Sequence, residues 1–126
     1  MSIRSTWNLI EAALTKRGFQ LSGAEDVPQG RKVVIRVQQI DGDQELRGSV
    51  GSGKVRVSWK LDVILSYDME NDIRQDRAVA EDAEDVIAAL YSITLRNHQF
   101  VQAVITREGT VLTNTLRFAF QDDAEL

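Results

Sequence analysis

Apolar side chains occupy every odd position from Val55 to Tyr67: Val55, Val57, Trp59, Leu61, Val63, Leu65 and Tyr67. The even positions carry Arg56, Ser58, Lys60, Asp62, Ile64, Ser66 and Asp68. Successive strand residues point to opposite faces, so Lys54–Asp68 is predicted to be one long strand with an apolar and a largely polar face. Lys32–Ile40, rich in β-branched residues, reads as the strand before it, with Val33, Ile35 and Val37 on one face. The polar connection Asp41–Gly53 contains Asp-Gly and ends in a Gly/Ser-rich tip. It is long for a hairpin loop, and connections of that length are usually functional or disordered. A second strand pair, Phe100–Thr106 and Val111–Gln121, flanks a tight turn at Arg107–Thr110, with Leu116, Phe118 and Phe120 in alternation.

Two other segments change period. Over residues 3–17, Ile3, Trp7, Ile10 and Leu14 form one helical stripe, and Gly18 follows Lys16 and Arg17 as a natural C′ residue. Residues 20–31 hold the only proline, Pro28, and read as a loop. Over residues 75–95, Val79, Ala83, Val86, Leu90 and Ile93 form a second stripe, with Glu81, Asp82, Glu84 and Asp85 outside it. Acids toward its start and Arg96 just past its end suit the helix dipole, and Asn97-His98 is the predicted stop. The order αββαββ implies an α+β domain spanning 1–126: one mostly antiparallel four-stranded sheet with both helices on one face. The short acidic tail Asp122–Leu126 is expected to fray. Val34, Ile40 and Ile64 on the mostly polar side favour a second subunit there.

Composition narrows the function. The chain has 126 residues and no cysteine, which removes disulfides, thiolate chemistry and zinc–thiolate sites. The N-terminal stretch lacks a signal-peptide pattern, no apolar run is long enough to span a bilayer, and cytosolic assembly is the expectation. A net charge of -4 weighs against a dedicated DNA-binding module. The charge is uneven. Segment 31–60 is mostly basic and segment 68–85 mostly acidic, which reads as two solvated faces or as complementary patches meeting between identical subunits.

Candidate chemistry is sparse. Gly48-Ser-Val-Gly-Ser-Gly53-Lys54 matches G-x-x-x-x-G-K, the phosphate-cradling loop. That chemistry needs a Ser or Thr hydroxyl next, where Val55 stands, and a following helix, where a strand is predicted. Asp68-x-Glu70-x-Asp72 and Asp41-x-Asp43-x-Glu45 alternate acids as calcium loops do, but lack glycine at the sixth position and glutamate at the twelfth. His98, the only histidine, falls at a predicted helix end and reads as a capping or exposed residue. Trp7 and Trp59 sit on apolar faces and read as core. No catalytic, cofactor or metal constellation emerges, so the chain is not expected to be an enzyme.

The pattern as a whole resembles the tail-terminator, or tail-completion, proteins of long-tailed bacteriophages. The resemblance rests on the first helix ending at Arg17-Gly18-Phe19, the strand pair with a long polar arm at 41–54, and the strand Val55–Tyr67. It continues through the second helix, from Asp76 to Leu90, and the closing strand ending Leu116-Arg-Phe-Ala-Phe120. It implies a ring, typically a hexamer, that caps the tail tube and offers a docking surface to the head–tail connector. Partners would be identical subunits, the tube protein and the connector, with no membrane and with DNA only passing through the lumen. The location would be the virion tail, after assembly in the host cytoplasm. The resemblance further implies an arm of Arg47, Gly48, Ser49, Val50, Gly51, Ser52, Gly53, Lys54 and Arg56 touching a neighbour or the tube. Asp82 and Asp85 on the acidic helix would face the basic strand region of the next subunit. Other neck or tube components, and a small nucleotide-binding enzyme using Gly48–Lys54, are the rival readings. Millimolar ATP or GTP is expected to leave the melting temperature unchanged, whereas a ligand at 100 times its Kd adds about 2.7 kcal/mol of stability. A clear upward shift in a thermal melt would revive the nucleotide reading.

Overall fold

A computed structural model of the chain describes residues 2–23, 31–42, 54–68 and 75–125. Helix α1 (Ile3–Lys16) precedes strands β1 (Gln20–Leu21), β2 (Lys32–Gly42) and β3 (Lys54–Asp68). Helix α2 (Gln75–Tyr91) and strands β4 (Arg96–Glu108) and β5 (Val111–Glu125) follow. The class is α+β. The sheet has five strands in the order β1-β2-β3-β5-β4, and it is mixed, because β1 runs parallel to β2. The expected four-stranded antiparallel sheet is therefore corrected by a short strand inside the predicted 20–31 loop. The backbone of Gln20 and Ser22 donates to the carbonyls of Arg31 and Val33, at 2.8 and 2.9 Å, which is enough to form a two-residue ladder.

The long alternating strand is central. β3 pairs with β5 without interruption from Lys54↔Glu125 to Asp68↔Val111, and with β2 from Val34↔Ile64 to Gly42↔Val57. Its odd residues point inward, where Trp59 stacks on Phe120 with ring centroids 5.6 Å apart. Ile10 and Leu14 of α1, and Val79, Val86 and Leu90 of α2, enter the same core as Leu61, Val63 and Leu116. Both tryptophans join it as expected, Trp59 buried and Trp7 packed partly buried against it. Burying side chains of this size removes about 1.5–3 kcal/mol of unfavourable hydration each.

Local chemistry sets the element ends. Ser2 caps α1, its hydroxyl accepting the Ser5 N–H at 3.0 Å. At the other end Gly18 has φ 89, Phe19 N–H reaches Leu14 O at 3.2 Å, and Gly18 N–H reaches Thr15 O at 3.0 Å. That is a Schellman stop, and it swings Phe19 under the helix into the core. The β4–β5 turn places Gly109, at φ 58, first in a two-residue loop, as the type II′ hairpin requires. α2 stops at Tyr91, four residues before the predicted end, where the Ser92 hydroxyl donates to Ala89 O at 2.6 Å.

Two further expectations change. β5 continues to Glu125, so Asp122–Glu125, expected as a tail, pairs with β3 in the sheet. The alternation simply runs on: Asp122 and Ala124 are buried inward, and Asp122 accepts a hydrogen bond from the buried Thr6 hydroxyl of α1. His98 lies within β4 and not at a helix end. Asn97, at φ 50, marks a bulge between Arg96 and Gln99, and the half-buried His98 ring stacks on Tyr91 at 4.2 Å. Burial lowers the His98 pKa from its ordinary value, which favours the neutral ring. Asp41, Gly42 and Lys54 belong to the strands, and the rest of the expected arm, 43–53, lies outside the described residues.

Gly18→Ala is expected to cost about 1 kcal/mol, because the new Cβ meets no atom within 4 Å and only the left-handed backbone is penalised. Gly42→Ala, with equal space and no positive φ, should change stability by less than about 0.5 kcal/mol. Urea unfolding of the two variants checks the contrast.

Candidate functional site

Four charged or hydroxylic side chains from three parts of the chain converge at one end of the inner layer. Asp82 and Asp85 stand three apart on α2, so they share one side of the helix. Arg31, just before β2, reaches both: Nε lies 3.0 Å from Asp82 Oδ1 and Nη2 lies 2.8 Å from Asp85 Oδ2. Its guanidinium sits over the Phe19 ring, 4.7 Å from the centroid. Tyr67, at the far end of β3, donates its hydroxyl to Asp82 Oδ2 at 2.7 Å. Burial first, and then that hydrogen bond, push the Tyr67 pKa far up, so the phenol remains a donor. Both Asp82 oxygens are thus engaged by this chain's own groups. The cluster has the chemistry of a clip, fastening α2 to β3 and to the start of β2.

The predicted contact residues therefore separate. Asp82 and Asp85 face the protein's own Arg31, and Arg17 lies 4.0 Å from Asp85. The acids that α2 turns to solvent are Asp76, Glu81 and Glu84; Asp76 lies 3.5 Å from Arg107, and Glu81 bonds Arg77 at 2.9 Å. Arg56 lies on the opposite sheet face, half-buried, 3.2 Å from Asp123, which also holds Arg96 at 3.1 Å. About 35 Å of strand separates Arg56 from Tyr67, at roughly 3.3 Å per residue. Arg47, Gly48, Ser49, Val50, Gly51, Ser52 and Gly53 lie outside the described residues, and of Lys54 only the backbone is described.

The outer face has a second feature. Asp62 is only 5% exposed although it points away from the helices. Gln38 donates to its Oδ2 at 3.0 Å, and Arg117 Nε stands 3.7 Å from its Oδ1. A groove of about 340 Å³ opens beside it, lined by Lys60, Val101, Gln102 and Arg117 among others. Gln38 and Val101 both sit at breaks in strand register, in β2 and β4, so bulges on either side shape this trough.

Apolar side chains are also exposed at both borders of the sheet. Val37 and Ile40 on β2 are 39% and 40% exposed, and Val101 and Ile105 on β4 are 49% and 46% exposed. No sequence motif marks the Arg31 clip or the Asp62 trough. Position parity does place Asp62 outward and Tyr67 inward, and a three-residue spacing joins the two α2 acids. Among the described residues no group of three or more His, Asp or Glu side chains is placed to hold a metal, and no helix is long and apolar enough to cross a membrane. No protein-family model matches the chain, and no curated protein matches it in sequence.

Asp82→Ala strands a buried phenol hydroxyl and one arm of Arg31, and should cost about 1–3 kcal/mol. Tyr67→Phe should cost about 1 kcal/mol, and the double variant less than the two together. Chemical unfolding of the monomeric state measures all three. Unchanged monomer stability in Asp82→Ala would instead mark that carboxylate as a group reserved for a partner.

Proposed function

We propose that this chain is a structural subunit of the tail-terminator type. Copies close into a ring, a hexamer in the family it resembles, over the end of a bacteriophage tail tube. The ring stops further addition of tube subunits and leaves a surface for the head–tail connector. Its site of action is the virion tail, its assembly takes place in the host cytoplasm, and DNA only passes through the lumen. The role involves no catalysis and no cofactor.

The observation that supports this reading most is that four of the exposed apolar side chains lie on two opposite borders. Val37 and Ile40 belong to one border of the sheet, Val101 and Ile105 to the other. A closed ring repeats one heterologous contact, so each subunit needs two different patches on opposite sides, whereas a two-fold dimer needs only one. The arm comprising Arg47–Lys54 and Arg56 would contact the neighbour or the last ring of the tube. Ordering such a glycine-rich segment on docking costs entropy and keeps each contact weak, which suits a cap held by many copies.

Electron microscopy and native mass measurement of the purified protein should give closed rings with a tube-sized pore. Added to polymerising tube subunits, the protein should shorten the tubes in proportion to its concentration, and deleting Ser49–Ser52 should abolish that effect while leaving the fold intact. A strict monomer at high concentration, alone and with tube, would end the reading. Long open tubes formed by the chain itself would reassign it as a tube subunit.

A further inference from the structure

We propose that copies of this chain join by continuing the sheet, the free edge of β4 in one copy pairing antiparallel with the free edge of β2 in the next. This rests on the ring reading for closure and on nothing about the tube.

Backbone pairing leaves both edges open among the described residues. β1 covers only Lys32 and Val33, so Val34–Gly42 has no strand on its outer side. β4 is the other edge: near its start the Tyr91 hydroxyl of the same chain takes the Phe100 N–H and donates to His98 O, and from Val101 to Glu108 no strand lies on its outer side among the described residues. Edge strands are normally blunted by charge, particularly lysine. Here residues 97–106, Asn-His-Gln-Phe-Val-Gln-Ala-Val-Ile-Thr, contain no Asp, Glu, Lys or Arg. An uncharged edge with exposed Val101 and Ile105 is built to receive another strand.

A second copy fits because the chain itself carries the matching edge. β2 pairs antiparallel with β3, β3 with β5, and β5 with β4, so β2 and β4 run in opposite directions. A rotation about an axis along the strands preserves those directions and brings β4 against β2 antiparallel. The registers also align their chemistry. One row crosses the outer face as Asp41, Ser58, Gln121 and Arg96, placing an acid on one edge and a base on the other at the same height. The row Val34, Ile64, Thr115, Val104 ends in valine on both edges. Joined in row, Val34 meets Val104 and Asp41 comes beside Arg96, the one extra residue of β4 between those rows being taken up as a bulge; the stagger that a closed barrel needs keeps faces matched when it is an even number of residues. A two-fold pairing of β4 with β4 would leave Asp41, Val37 and Ile40 uncovered.

The test uses two pairs of exposed positions. Val101→Asp/Ile105→Asp blocks the β4 edge, and Val37→Asp/Ile40→Asp blocks the β2 edge; circular dichroism confirms that each variant folds. In sedimentation velocity the parent should form a ring and each variant alone a monomer. Their equimolar mixture should form heterodimers, held by the single intact junction that remains. The inference is overturned if either variant keeps the parent assembly, if the β2-blocked variant dimerises alone, or if the mixture stays monomeric. Should a variant unfold, Asp41→Arg and Arg96→Asp serve instead. Each should raise the concentration at half-assembly by roughly fivefold, and the double swap should restore it; no restoration overturns the junction. A parent ring that ignores these substitutions leaves the ring reading intact, whereas a ring that forms this way but fails to shorten tubes sinks the capping role alone.

Discussion

Every other placement in this molecule follows from the register between β3 and β5. The two strands pair along their whole length with no bulge, and all the register breaks fall in β2 and β4. Side chains alternate with a period of two, so a slip of one residue would turn Trp59, Leu61, Val63 and Leu65 outward together. The cost of exposing that row is comparable to the whole stability of an ordinary domain. The central pair is thus locked, and the flanking strands bend around it.

Polar contacts then fasten the helices at two distant points on this frame. Thr6 ties the start of α1 to Asp122, opposite Val57 near the start of β3. Asp82 ties α2 to Tyr67 at the far end of the same strand. Packing of Ile10, Leu14, Val86 and Leu90 supplies the bulk of the attraction, which is non-directional. The two buried hydrogen bonds are directional and fix where along the sheet each helix sits. The outer face, carrying the Asp62 trough and the Arg56–Asp123–Arg96 cluster, stays uncovered by either helix.

Much of this fold is legible in the sequence because it depends on period. The odd-numbered row of β3, the inward Val33, Ile35 and Val37, and both helical stripes follow from spacing alone. The β1 ladder is not legible, because two residues carry no period and their pairing is decided by where β2 begins. The inward Asp122 was obscured by composition: an acidic run suggests solvent, while the register carries Asp122 into the core against Thr6. His98 was misplaced because the helix stripe continues through Ile93, though the helical hydrogen bonds end at Tyr91. The contact residues were the least legible. Asp82 and Asp85 read as a solvated face until Arg31, which is remote in sequence, is brought over Phe19 by the α1 cap. The exposed edges of β2 and β4 need strand order, which no local pattern supplies.

The β3–β5 pairing also sets an order of events during synthesis. β3 emerges from the ribosome well before its principal partner, with α2 and β4 made in between. Until residues 111–125 follow, β3 has only β2 on one side and an open, strongly apolar edge on the other. Contacts between segments so far apart in the chain form late and slowly. The nascent protein therefore passes through an interval in which its most aggregation-prone strand is complete and unsheltered, the condition under which chaperones engage a growing chain. A chain cut short within β5 would be caught in that state, with its core strand offered to any neighbour.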